Sequence, residues 1–399
     1  MSKCVIIGAG QAGRRAAESL RERSPDARIC IIGGEAHLPY DRPSLSKQAL
    51  LSEKNERHVF IRDADFYASA RIEVRTGVRA ASIDRSAKTV ALEDGTQITY
   101  DRLLLATGSR VRTLDGGPVH YLRTLDDARA LRAKLTPGAR VAIVGGGFVG
   151  LEVAASASAL GCAVTLMEPS ERVLKRSMPP LVSEYVARLH ARNGVDLQMH
   201  RKVLEVREHD GVLVVETSAG SFTADLVVAG IGVVPETELA QQADITVDDG
   251  IVVDEHCRTS DPDIFAAGEV TRHFVPFLGR AARVESWQVA EKQPAVAAAN
   301  MLGAPETYSE VPWLWSDQFD CNIQTLGYFD SAHRIIVRGD VAGPAMTVLG
   351  VDEAGNLRAA TTVNNGRDMA ALTRLTRGGP LDLTKLADAS VPLRSLIRR

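Results

Sequence analysis

The chain has 399 residues, 45% hydrophobic and 24% charged, with a formal net charge of −3. At roughly 100–200 residues per domain, that length predicts two or three globular domains with ample core. The charge balance excludes the strongly basic stripe of a nucleic-acid-binding protein.

The five cysteines, Cys4, Cys30, Cys162, Cys257 and Cys321, are odd in number, widely spaced and without a C-x-x-C pair. This excludes a secreted disulfide scaffold and a thioredoxin-like motif, and a reducing, cytoplasmic setting is expected. The start of the chain, residues 1–8, is too short and too glycine-rich for a signal peptide. Residues 141–167 carry one charge, Glu152, but Gly145, Gly146 and Gly147 interrupt them. A membrane span would need roughly 20 apolar residues in one helix.

In chain order, the apolar run Cys4, Val5, Ile6, Ile7 predicts a parallel strand buried on both faces. Gly8, Gly10 and Gly13 follow in the spacing G-x-G-x-x-G, then a helix over 14–23 and a second strand over 28–32, with Glu35 just beyond. The unit recurs: a strand over 140–144, Gly145, Gly147 and Gly150 in the same spacing, a helix to about Leu160, and a strand over 163–167 ending at Glu168. In each copy the first glycine allows a tight turn, the second admits a pyrophosphate to the backbone, and the third lets helix and strand pack closely. The diphosphate meets the positive end of the helix dipole, and the carboxylate past the second strand accepts hydrogen bonds from ribose hydroxyls. Two such sites imply two dinucleotides and electron transfer between them.

Strand patterns continue at 212–215 and 226–232, and a final α+β part shows strands at 323–326, 334–337 and 346–349 and a helix over 367–375. The expected class is α/β. Two Rossmann-like dinucleotide-binding domains are expected, one over 1–110 and 237–308 and one over 111–236, with a small α+β domain over 309–399.

Further segments carry a resemblance. The A-T-G at Ala106, Thr107 and Gly108, and the run Thr259 to Glu269 with its Gly268, resemble two motifs of the two-dinucleotide, glutathione reductase-like flavoproteins. The last acidic residue of the second motif, usually Asp, is Glu269 here. Four segments resemble the ferredoxin reductases of Rieske-type dioxygenases and bacterial haem-thiolate monooxygenases, the putidaredoxin reductase-like family. These are Pro39 to Lys47, Arg123 to Ala128, Glu285-Ser286-Trp287, and Trp313 to Phe319. The likeness spans nearly the whole chain.

That resemblance implies FAD in the first site, with Gly8, Gly10, Ala12, Gly13, Glu35, Arg42, Lys47, Ala80, Thr107, Gly108, Arg123, Gly268, Glu269 and Trp287 around it. Gly34, a position often acidic in relatives, leaves Glu35 to carry the ribose alone. The second site would hold NAD with Gly145, Gly147, Phe148, Val149, Gly150, Glu152, Glu168, Arg176 and Gly232. Glu168 favours NADH, because a carboxylate there repels the extra phosphate of NADP. Arg172, Lys175 and Arg176 lie close behind, and Arg176 reads equally as an adenosine contact or a solvated cation.

The resemblance makes Lys47, Glu152 and Trp287 the catalytic candidates, with Lys47 and Glu152 paired at the flavin face. No metal pattern appears among the nine histidines. The implied partner is a 2Fe-2S ferredoxin, Rieske-type or putidaredoxin-like, and the implied state a monomer or homodimer. Arg367, Arg374, Arg377, Lys385, Arg394, Arg398 and Arg399 make the C-terminal part locally basic. They read as a solvated surface or as steering for an acidic partner.

Three other readings compete. A disulfide reductase or NADH peroxidase would need a redox cysteine near Lys47, where Ser44 and Ser46 stand instead. A flavin-bearing sensor would bind nicotinamide and turn over slowly. A rubredoxin reductase differs only in its acceptor.

Overall fold

The structure is a computed structural model that describes residues 2–398. Met1 and Arg399 lie outside the described residues. The chain divides into two compact units. The first takes residues up to Pro43, Glu56–Arg110 and Val233–Pro312; the second takes Ser44–Asn55, Val111–Gly232 and the residues from Trp313 on.

In the first unit, β1 (Lys3–Ile7) leads into α1 (Gln11–Arg23) and β2 (Arg28–Ile32). The two strands pair in parallel with Val5 opposite Cys30. Strand Arg102–Leu105 flanks β1 on its other side, and Ile264–Ala266 and Ile72–Arg75 complete a five-stranded parallel sheet. Both faces of β1 are covered: Cys4 and Ile6 pack into one cluster with Leu20 and Phe265, Val5 and Ile7 into another with Leu103 and Val90. That explains a strand with no polar alternation, each buried aliphatic side chain contributing roughly 1.5–3 kcal/mol. Helix Trp287–Met301 contributes Val289, Ala297 and Ala298 to the cluster that contains Ala12, Ala16 and Ala17 of α1. Arg14 pairs with Glu18 on its own helix and ties the two helices together through Glu291, each at 2.7 Å.

The second unit repeats the pattern. β3 (Arg140–Val144), α2 (Phe148–Ala159) and β4 (Ala163–Glu168) build a four-stranded parallel sheet with Asp196–Met199 and Leu226–Ala229. The unit also holds a five-stranded antiparallel sheet that begins with β5 (Trp313–Gln318) and Cys321–Gly327. Cys321, Ile323 and Val348 of that sheet share one core with Ile143, Leu151 and Val186. The helix expected over 367–375 begins at Met369, after a 3-10 turn at Gly366–Asp368; such tighter turns are frequent at helix starts. Among the described residues no helix is long and apolar enough to cross a membrane.

The segment Ser44–Asn55 joins the second unit although the chain on both sides of it belongs to the first. Arg132 Nη1 donates to the Ala49 carbonyl at 2.7 Å, Ser156 Oγ donates to the Ser46 carbonyl at 2.7 Å, and Leu50 is fully buried in that unit's core.

Candidate functional site

The two glycine turns behave alike. Gly8 (φ +117°) and Gly145 (φ +104°) occupy a backbone conformation that suits glycine. A Cβ there would stand 2.0 Å from the Ala106 carbonyl oxygen and 2.5 Å from that of Gly230. At the third glycines, Gly13 and Gly150, a Cβ would meet the carbonyl oxygens of Gly8 and Gly145 at 1.9 and 2.1 Å. The middle glycines differ: a Cβ on Gly10 or Gly147 has nothing within 4 Å. The protein's own packing therefore demands the outer glycines, while the middle pair borders open space.

Each middle glycine is also the N-cap of its helix, without a side-chain cap and without an acidic residue in the first turn. Helix Leu125–Lys134, by contrast, has a full capping box from Thr124 and Asp127, and helix Trp287–Met301 is capped by Ser286. An uncapped glycine turn leaves N–H groups for an anion. The geometry thus fits a diphosphate in each unit.

In the first unit, Glu35 accepts from Tyr40 Oη at 2.5 Å and pairs with Arg42 Nη2 at 2.5 Å. Burial works against the charge on Arg42, but Tyr40, Glu35 and Glu269 outweigh it and hold its pKa above the usual arginine value. Gly34 has a local reason: a Cβ there would stand 2.9 Å from Arg79 Cγ, so glycine lets Arg79 lie across the backbone just before Glu35. Trp287 Nε1 donates to Asp41 Oδ1 at 2.9 Å. Gly268 (φ +91°) packs so tightly that a Cβ would fall 2.9 Å from that of Ala12, and its N–H donates to buried Gln293. Ser109 Oγ donates to Glu269 Oε1 at 2.8 Å, and Thr107 Oγ1 to the Glu236 carbonyl at 2.6 Å, with Gly108 next to it at φ +70°. Ala80 opens strand Ala80–Asp84. Lys47 and Arg123 belong to the second unit.

In the second unit, Glu168 Oε2 accepts from the Gly146 N–H at 2.8 Å and Oε1 from Ser170 N at 2.9 Å, so its carboxylate lies on the glycine turn. Of the three cations behind it, Arg172 is bound to the Met178 carbonyl and Ser183, Lys175 to Glu171, and Arg176 is exposed. Phe148 is half-buried against the core, Val149 is exposed, and the carbonyl of Gly232 (φ +101°) accepts from Arg112 N–H at 2.9 Å. Glu152, on α2, is buried and pairs with Lys47 Nζ at 2.9 Å.

Around Glu152 stand Ser46, noted above only in the place of a redox cysteine, and three side chains without a role in the sequence reading. Ser46 and Ser316 donate to its carboxylate, Gln318 donates to Ser316, and His190 meets Gln318. Ser316 and Gln318 stand two apart on β5, both almost fully buried; that period-2 pair of polar residues was the available signal. Trp313 and Trp315 stack at 5.3 Å on the alternate positions of the same strand.

Burial pushes the thiol pKa values of Cys4, Cys30 and Cys321 up to about 11, and that of Cys257 higher still. They are poor nucleophiles.

The family model described as pyridine nucleotide-disulphide oxidoreductase matches residues 2–294, and one described as reductase C-terminal matches 313–397. The chain belongs to this family. Within it, the chain is 54% identical to the ferredoxin–NAD(+) reductase component of an anthranilate 1,2-dioxygenase system from Burkholderia cepacia, over 98% of each chain. It is 40% identical to the corresponding component of a p-cumate 2,3-dioxygenase system from Pseudomonas putida, over 99% of this chain and 98% of that one. The solved covalent complex of putidaredoxin reductase with putidaredoxin superposes with a TM-score of 0.94 at 35% identity, covering 99% of this chain and 98% of that one. The chain is an oxidoreductase of the ferredoxin–NAD(+) reductase type, as the sequence resemblance implied, and the family implies FAD and NAD(H).

Proposed function

We propose that the chain binds FAD at the Gly8–Gly13 turn and NADH at the Gly145–Gly150 turn, and serves the 2Fe-2S ferredoxin of a dioxygenase system. The observation that carries the two-site reading is the open space at Gly10 and Gly147 beside outer glycines that admit no Cβ. Bound FAD supplies the conversion between carriers, taking a hydride from NADH and releasing single electrons to the ferredoxin. The chain's own residues bind and orient. The Gly10 and Gly147 turns offer N–H groups to the two diphosphates, and Glu35, set by Tyr40 and Arg42, receives the FAD ribose. Family resemblance assigns Ala80, Arg123, Glu269 and Trp287 to the flavin, and Lys47 with Glu152 to its reacting face. No side-chain nucleophile is required, in keeping with five cysteines that include no low-pKa thiol.

Anaerobic mixing of the flavin-loaded protein with NADH and a 2Fe-2S ferredoxin, followed by the visible spectrum, tests this reading. Catalytic bleaching of the ferredoxin is expected. Prompt flavin bleaching with the ferredoxin left oxidised would move the acceptor to rubredoxin or leave a slow sensor.

Glu168 gives a second test. Its carboxylate on the Gly146 N–H is placed for ribose hydroxyls and against a 2′-phosphate. Glu168→Ala should lower the preference for NADH over NADPH, read as a ratio of kcat/KM values, by about tenfold to a hundredfold, the worth of one charged hydrogen-bond set. An unchanged ratio would remove Glu168 from the ribose site.

A further inference from the structure

Glu152 is almost completely buried, yet its carboxylate is met by three donors. Lys47 Nζ lies 2.9 Å and Ser316 Oγ 2.6 Å from Oε1, and Ser46 Oγ donates to Oε2. An ionised carboxylate only accepts, so all three bonds run toward it. Behind Ser316 the line continues: Gln318 Nε2 donates to Ser316 Oγ at 3.0 Å, and Gln318 Oε1 lies 2.9 Å from His190 Nε2.

His190, on helix Pro180–Arg192, has no exposed surface, and burial depresses its pKa, so it is neutral with one N–H. Placing that proton on Nε2 satisfies Gln318 and leaves Nδ1 as a bare lone pair, in accord with the absence of a hydrogen-bond partner at Nδ1. His190, Gln318 and Ser316 then point their positive ends one way, toward Glu152, and each bond polarises the next.

This line crosses an apolar core: Leu189 and Val186 flank His190 on its helix, and Cys321 and Ile323 lie just beyond Gln318. For stability alone, well-packed apolar side chains would do as well as a buried ion pair with its supporting polar groups. What apolar residues cannot do is hold an ammonium at one point. Lys47 ends the line and keeps about 15% of its side-chain surface exposed, while its partner keeps 6%.

We propose that Ser316, Gln318 and His190 are positioning residues for the hydride step, fixing the Glu152 carboxylate so that it fixes the Lys47 ammonium at the reacting end of the dinucleotides. The inference rests on the reading that Lys47 acts there, and it gives the antiparallel sheet from Trp313 onward a part in the chemistry of NADH oxidation.

The test uses the flavin-loaded protein and two readouts, the rate of flavin bleaching at saturating NADH and the midpoint potential and visible band of the flavin. Ser316→Ala and Gln318→Met should each slow bleaching about tenfold, the loss of one hydrogen bond in a charged set, with the NADH concentration for half-saturation unchanged. Both should shift the potential and the band in the direction that Lys47→Met does. Ser316→Thr should restore the parent values. Ser316→Ala added to Lys47→Met should slow the protein no further, because the two act as one unit.

Parent-like rates, potential and spectrum in the Ser316 and Gln318 variants, with Lys47→Met altered, would overturn the inference and keep the Lys47 reading. Parent-like behaviour in Lys47→Met itself would overturn that reading, and the inference with it. Should Gln318→Met fail to fold, Ser316→Ala with its threonine rescue still decides the matter.

Discussion

Gly147→Glu should leave a folded, yellow protein that NADH no longer reduces. Gly147 has φ −81° and ψ 179°, which any residue adopts, and a Cβ there meets no atom within 4 Å, so the backbone tolerates the change. The new carboxylate would extend into the space assigned to the diphosphate and take the uncapped N–H groups of α2 for itself. Losing charge-assisted bonds worth about 1.5–3 kcal/mol each, and adding like-charge repulsion, should cut the second-order rate of flavin reduction by at least about a hundredfold. Gly150→Ala is the contrasting case. Its Cβ would stand 2.1 Å from the Gly145 carbonyl oxygen, so α2 must move off β3, and both the melting temperature and NADH reduction should fall. Stopped-flow reduction, flavin content and thermal melts of the two variants separate a blocked site from a broken turn. A Gly147→Glu protein that bleaches at the parent rate would show that the second turn does not carry the nicotinamide dinucleotide.

The same contrast explains which parts of the molecule could be read from its sequence. Strands 28–32 and 140–144 were legible to the residue, because a parallel strand buried on both faces has no polar alternation and a glycine turn ends it. The residue pattern predicts helix α1 from residue 14, but it starts at Gln11; its N-cap is Gly10, and without a capping side chain nothing in the sequence marks the first turn. The passage of Ser44–Asn55 into the second unit was not legible. It depends on Arg132 and Ser156 reaching main-chain carbonyls, which any sequence provides. His190 read as one more histidine without a metal pattern, and on a helix that buries Val182, Tyr185, Val186 and Leu189 it has the appearance of core. Only the fold brings it to Gln318, 128 residues away. Motif spacing reports what the backbone must do locally, and the Glu152 line is made by residues from four separate stretches.

Lowering the pH from about 7 to 4 should destabilise the protein, and His273 should account for a large share of the loss. It lies on strand Thr271–Val275, 4% exposed, edge-on to Tyr308 at 5.2 Å, with Nδ1 3.3 Å from Thr271 Oγ1. Thr271 directs its own proton to the Gly268 carbonyl or Gln293, so it accepts from a neutral imidazole bearing its proton on Nδ1. Burial pushes the His273 pKa down from 6.5 to about 4. Between those values the unfolded chain binds the proton and the folded one does not, so stability rises with pH there. It is complete above the unfolded value of 6.5 and is lost as the pH falls toward 4, for a total of roughly 3 kcal/mol at 1.36 kcal/mol per unit. The pKa of His190 is depressed in the same sense and adds to the loss. His273→Gln keeps a donor for Thr271 but cannot take up a proton. Its melting temperature should therefore drop less than the parent's between pH 7 and pH 4.5, whatever the two values are at pH 7. Because Thr271 and Gln293 also hold Gly268, beside Ala12 on the proposed FAD turn, flavin release on acidification should follow the same curve. Acid limbs that run parallel in the parent and in His273→Gln would place the responsible proton elsewhere.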